Sequence, residues 1–319
     1  MRQDAPSGNP ETVTLAFGGD AAGGEGRRLP PVGDRDRPAI RNTVMMPIVT
    51  PPLQPIGVHH RRVQQILSVQ NNTAPNPRRL IFAEGLWAHR LLLEHDVRID
   101  SFFWCPEAAY GDEARAKAVE LAARADDAFE ISAKTAARVS ERDRPDGLMS
   151  LAYLPQWTED EVKLPRDALV MVVDGVEIPG NLGTLIRTLD GCGADCLLLT
   201  NRRTRLTHPK VFRASQGAIL TMPTLDMASV PEAVGWLRRH RFDILLADTD
   251  DAANYRRVPY RGRRTALVVG AEKYGLHRDW YDAGATRVFL PMLGHADSLN
   301  VSVSAAVMLY EARAQKAGW

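Results

Sequence analysis

Ala168-Leu-Val-Met-Val-Val-Asp174-Gly-Val-Glu-Ile-Pro-Gly-Asn-Leu-Gly-Thr-Leu-Ile-Arg-Thr188 reads as an apolar strand that ends on an acid, turns at glycine and proline, and continues as a helix. An apolar run without alternation marks a strand covered on both faces, as in a parallel sheet flanked by helices. Similar runs follow at 196–200, 244–247, 266–269 and 288–290, separated by helix-length segments. The spacing predicts an α/β domain with a parallel sheet over residues 168–319.

Upstream, residues 156–167 carry charge and proline without an apolar run and read as a linker. Residues 58–155 alternate helix and strand patterns. Helices are expected near 63–67, 86–94, 112–125 and 133–140, and strands at 79–83, 99–104, 129–131 and 147–154, which describes a small α/β domain. Residues 1–57 hold nine prolines and eight glycines and show no apolar periodicity, so a disordered leader is expected there. Within it the run 45–53 is a possible docking segment in which proline forbids a helix.

The 319 residues carry 40 Lys+Arg against 39 Asp+Glu, a net charge of +1, so any polyanion partner must be bound by local clusters. No run approaches the roughly 18–20 apolar residues of a membrane span. The start, Met1-Arg-Gln-Asp4, lacks a signal-peptide core, and a cytoplasmic protein without membrane contact is expected. Cys105, Cys192 and Cys196 cannot form a disulfide framework. Cys192 and Cys196 lack a second ligand pair, so no metal is expected.

Common fingerprints fail. The chain has no phosphate-binding P-loop, no Gly-x-Gly-x-x-Gly spacing among Gly175, Gly180 and Gly183, and no Gly-x-Ser-x-Gly elbow. Three other segments place polar groups at the carboxyl ends of expected strands, where open α/β sheets bind ligands. They are 174–188 with Asn181 and Arg187, 268–276 with Glu272, and 290–306 with Ser298 and Asn300. Taken singly, each polar group has an ordinary reading. Asn181, Ser298 and Asn300 could cap helices, and Glu272 could favour the N-terminus of a following helix.

Together, Pro179-Gly-Asn-Leu-Gly-Thr-Leu-Ile-Arg-Thr188 and Pro291-Met-Leu-Gly-His-Ala-Asp-Ser-Leu-Asn-Val-Ser302 resemble the SPOUT superfamily of methyltransferases, and within it the SpoU (TrmH-like) RNA ribose 2′-O-methyltransferase family. The resemblance covers about 168–313, and more loosely 58–155 as an RNA-binding domain. The family commonly has Gly-Asn-Glu-Gly in the middle segment, whereas this chain reads Gly270-Ala-Glu-Lys273. The resemblance implies a parallel sheet whose C-terminal segment forms a trefoil knot, one of the rare exceptions to unknotted chains. It also implies S-adenosyl-L-methionine held by the knot loops, and a homodimer.

The adenine and ribose of that cofactor are neutral, so backbone groups in glycine-rich loops suffice to recognise them, with Val269, Gly270, Leu290, Met292 and Leu299 as the expected lining. Methyl transfer is an in-line displacement from a sulfonium, in which the protein chiefly aligns reactants. In this family the arginine is often assigned as a base. A guanidinium does not deprotonate in proteins, so Arg187 is expected to stabilise the developing alkoxide, with Glu272, Ser298 or a water as proton acceptor. Asn181 and Asn300 would hold the loops and the substrate edge.

RNA is expected at the acid-free stretch 201–217 with Arg202, Arg203, Arg205, Lys210 and Arg213. A second such stretch, 255–265, interleaves Arg256, Arg257, Arg261, Arg263 and Arg264 with Tyr255 and Tyr260, and the third candidate is 59–62. A solvated surface loop is the competing reading of each. The overall expectation is a methyltransferase acting on structured RNA, ribosomal rather than transfer RNA, because relatives with such an accessory domain often act on large-subunit RNA. Rivals are a tRNA ribose methyltransferase, an antibiotic-resistance rRNA methyltransferase, and a catalytically silent RNA-binding or ribosome-assembly factor.

Overall fold

The computed structural model describes residues 53–249 and 252–319, and the leader expected at 1–57 lies outside them up to residue 52. In chain order the first half contains β1 (Gln54–Ile56), α1 (Arg61–Asn71), β2 (Leu80–Glu84), α2 (Gly85–Glu94), β3 (Ile99–Trp104), α3 (Asp112–Arg124), β4 (Ala125–Ile131), α4 (Ala133–Val139) and β5 (Leu148–Tyr153). They build a five-stranded sheet of order β1-β4-β3-β5-β2, in which β5 runs antiparallel to β3 and β2. β1 pairs in parallel with β4 and falls inside the segment read as leader. Three residues around a proline give no periodic signal, and an edge is where a strand tolerates a residue without an N–H.

The second half contains β6 (Leu169–Asp174), α5 (Pro179–Gly191), β7 (Cys196–Thr200), α6 (Pro209–Ala214), β8 (Thr224–Asp226), α7 (Val230–Arg239), β9 (Phe242–Ala247), β10 (Ala253–Asn254), β11 (Arg264–Val269), β12 (Thr286–Phe289) and α8 (Val301–Ala317). Its seven strands lie in the order β10-β12-β9-β11-β6-β7-β8, and every pairing is parallel. Successive residues of β6 feed opposite cores. Leu169, Met171 and Val173 pack with α5 and α8, while Val170 and Val172 pack with Trp236 and Leu237 of α7. From β6 the chain proceeds outward to β7, and later returns to place β11 on the other flank of β6. The carboxyl ends of β6 and β11 therefore flank the point where strand order reverses, the usual place for a ligand crevice in such sheets.

Both sheets belong to one compact unit, and one apolar core runs from Ile81, Leu92 and Phe102 to Leu182, Leu185 and Phe212. Trp87 of α2 lies 5.8 Å from Phe212 of α6, ring centre to ring centre. Among the described residues, no helix is long and apolar enough to cross a membrane.

Candidate functional site

Sheet geometry first fixes a buried carboxylate. Asp174, the last residue of β6, is 2% exposed. It accepts hydrogen bonds from Thr200 Oγ1 at 2.9 Å, Asn201 Nδ2 at 2.7 Å and the backbone N–H of His277 at 2.7 Å. One charge thus ties the end of β6 to the end of β7 and to the loop after β11, and three donors offset its desolvation. Sequence reasoning gave Asp174 no role. Its visible signal was an acid closing an otherwise apolar strand.

The loop after β11 is shaped by close backbone approach. Ala271 and Gly275 exchange both backbone hydrogen bonds at 2.9 Å, closing a tight turn that presents Glu272. A Cβ on Gly270 would stand 2.2 Å from the Gly275 carbonyl carbon, so only glycine fits there. Glu272 precedes no helix directly. Its Oε1 accepts from Asn181 Nδ2 at 2.7 Å, and its Oε2 accepts from the Glu177 N–H at 3.3 Å.

Asn181 is the third residue of α5 rather than its cap, which leaves its side chain free to face the loops. Its Oδ1 accepts from Asn300 Nδ2 at 3.2 Å. Asn300 does cap α8, accepting from the N–H of Ser302 at 2.9 Å and from its hydroxyl at 2.6 Å. Glu272, Asn181 and Asn300, one from each of the three segments, therefore form a continuous hydrogen-bonded chain. The carboxylate acceptor orients the Asn181 amide, whose carbonyl then orients Asn300.

Ser298 and Arg187 stand apart from that chain. Ser298 is exposed and bonded to no described residue. Arg187 is exposed and makes no hydrogen bond or ion pair with a described residue. Six residues of helix place it about 120° around α5 from Asn181, so the two do not share a face. One turn on from Arg187 a Cβ on Gly191 would stand 3.1 Å from the Tyr310 hydroxyl, and Tyr310 is exposed on α8 with Val303 and Val307. Of the expected lining, Val269 is buried in β11, Gly270, Leu290 and Met292 are partly buried, and Leu299 is 42% exposed. Among the described residues, the backbone of 292–299 makes no hydrogen bond with another backbone group.

Three of the five expected RNA-binding cations have partners within the chain. Arg202 pairs with Asp226 at 2.8 Å, Arg213 with Glu141, and Arg205 reaches Asn72 Oδ1 and the Ala74 carbonyl at 2.8 Å each. Arg203 and Lys210 are exposed and have no partner among the described residues. In the second basic stretch Arg256 pairs with Glu311 and Tyr260 is buried, while Arg257 and Arg261 are exposed and have no partner among the described residues. At 59–62, Arg62 is held by Asp100 and Asp127. Cys105, Cys192 and Cys196 are buried free thiols, and burial raises the pKa of each. Among the described residues no group of three or more His, Cys, Asp or Glu could hold a metal.

Crevice, glycine turn and polar chain together define an α/β protein with a candidate ligand site at the carboxyl edge of its parallel sheet. The SpoU rRNA Methylase family model matches residues 168–310. A Staphylococcus haemolyticus protein named for the TrmH family of tRNA/rRNA methyltransferases is 34% identical over 142 residues, 44% of this chain and 57% of that protein. The crystal structure of an RNA 2′-O ribose methyltransferase is 32% identical, with a TM-score of 0.67 over 82% of this chain and 99% of that one. The SpoU methyltransferase AviRb of Streptomyces viridochromogenes shares the fold at 23% identity, with a TM-score of 0.69 over 81% and 98% of the two chains. This chain belongs to the SpoU/TrmH family of the SPOUT superfamily. It spans 57–64% of the length of the first curated relatives it matches.

Proposed function

We propose that this protein transfers a methyl group from S-adenosyl-L-methionine to a ribose 2′-OH of structured RNA, ribosomal rather than transfer RNA, and acts in the cytoplasm as a homodimer with a knotted C-terminal segment. The hydrogen-bonded chain Glu272–Asn181–Asn300 carries the reading, because it joins all three ligand-facing segments at one strand-end crevice. The name of the RNA 2′-O ribose methyltransferase neighbour supports the ribose target. Names of the curated relatives include both tRNA and rRNA.

The cofactor fits the residues present. Free backbone groups over 292–299 and the glycine turn at 270–275 offer donors and acceptors to a neutral adenine and ribose. Met292 and Leu299 supply the apolar walls, and the bound cofactor supplies an activated methyl group. In the family that the chain resembles, the arginine of this motif reaches the active centre across the subunit interface, and Arg187, which stands apart from the polar chain of its own subunit, is read as serving the site of the opposite one. There it positions the hydroxyl and stabilises the charge that develops on oxygen. Glu272 already accepts two hydrogen bonds, which leaves Ser298 or a water the more open path for the proton.

The test incubates the full chain with cofactor labelled in the methyl group and with rRNA or tRNA. Label in rRNA, at a linkage resistant to alkali because the 2′-OH is blocked, is the expected result. Label confined to tRNA would overturn the choice of RNA, and label on a base would overturn the ribose assignment. Cofactor binding without any transfer would leave a silent RNA-binding factor.

A further inference from the structure

A basic cleft lies at the other end of the sheet. β9 and β11 start there, and the cleft, of about 630 Å³, is lined by Arg166, Arg239, His240, Arg241, Arg263 and Arg264, with Asp243 as its carboxylate. Asp243 is already paired with Arg263 at 2.9 Å, and Arg239 with Glu159 at 3.1 Å. Arg264 is fixed by the carbonyls of Leu164, Pro165 and His240 at 2.8, 3.0 and 3.0 Å. From beneath, the buried Lys316 side chain donates to the carbonyls of Tyr260 and Arg263 and pins the loop. Arg166 and Arg241 are exposed and have no partner among the described residues. Converging guanidiniums in such excess over carboxylates repel one another unless an anion joins them.

We propose that this cleft is a second phosphate-binding site that holds the backbone of the RNA away from the transfer site, an inference that rests on the RNA methyltransferase reading. Its chemistry selects phosphate rather than base. Apart from His240 the lining has no aromatic or apolar wall on which a base could stack, and guanidinium forks match phosphate oxygens. Its position, a strand length from the carboxyl edge, suits an extended polyanion rather than the reacting nucleotide.

The test compares the full chain with Arg166→Gln/Arg241→Gln for binding of a labelled RNA hairpin over roughly 50–200 mM salt. Losing two phosphate contacts should lower the slope of log affinity against log salt by roughly one to two units and weaken binding about tenfold at low salt. Turnover at saturating RNA should not change, and Arg166→Lys/Arg241→Lys should recover the slope. An unchanged slope overturns the proposal. Tight binding of inorganic tripolyphosphate with an unchanged RNA slope assigns the cleft to a free phosphate ligand and also overturns it. A normal slope change in a protein that transfers no methyl group would refute the enzymatic reading alone.

Discussion

Asn181 donates to a carboxylate and accepts from an amide, a combination that only an amide side chain of this length can supply here. Asn181→Asp keeps the shape but sets two carboxylates against each other at hydrogen-bond distance. Methyl transfer should fall by roughly 100-fold at pH 8 and recover in part as the pH drops toward 6, because a shared proton then replaces the lost donor. A flat pH profile of the residual rate would exclude that account. Asp174 makes the opposite case, a charge that supports the frame without facing the crevice. Asp174→Ala leaves three donors without their acceptor, the buried Thr200 hydroxyl among them, and should cost roughly 1–3 kcal/mol in urea unfolding. Asn181, Glu272 and Asn300 were readable as candidates because motif order is visible in a linear string. Asp174 was not, since its partners lie 26, 27 and 103 residues away.

Helix α5 illustrates how an element can serve two sites at once. One side packs on the sheet and against α6, where a Cβ on Gly183 would stand 2.6 Å from the Ala214 Cβ and 2.7 Å from the Val211 carbonyl oxygen. Another side carries Arg187 into solvent one turn before Gly191, where α5 meets Tyr310 of the apolar stripe of α8. If a partner subunit covers that stripe, mixing Arg187→Ala with Asn181→Asp should return roughly a quarter of wild-type turnover, since half the dimers are mixed and each holds one complete site. No recovery on mixing would place both residues in the same site. Gly270→Ala should abolish cofactor binding while the far-ultraviolet circular dichroism stays native, because the clash is confined to the turn at 270–275. Buried strands were legible, with β3 falling on its expected bounds. β1, β8 and β10 were not. All three are sheet edges of two or three residues, too short for any period to register and dependent on a neighbour for their hydrogen bonds.

Across the molecule, the shared core makes the two sheets parts of one compact unit, although the charged stretch 156–167 reads as a linker in sequence. His89 gives that unit an acid limit. It is fully buried between the Gly85 carbonyl and the Ser150 hydroxyl, and burial lowers its pKa to about 4. The folded value lies below the unfolded one, so its contribution is intact above about pH 6.5 and is lost as the pH falls toward 4, by roughly 3 kcal/mol. His89→Gln should flatten the fall in urea midpoint over that window, and an unaltered slope would show that other groups set the limit. Asn300 closes on Asn181 from 119 residues further along the chain. At a synthesis rate of roughly 5–20 residues per second, the nascent chain carries α5 for roughly 6–24 s before that partner is made. For that interval the start of α5 lacks the Asn300 contact, and until residue 272 is made it lacks the Glu272 contact as well. Any chaperone or protease that recognises the unfinished protein has its opportunity then, and the three-segment polar chain is complete only once residue 300 has been made.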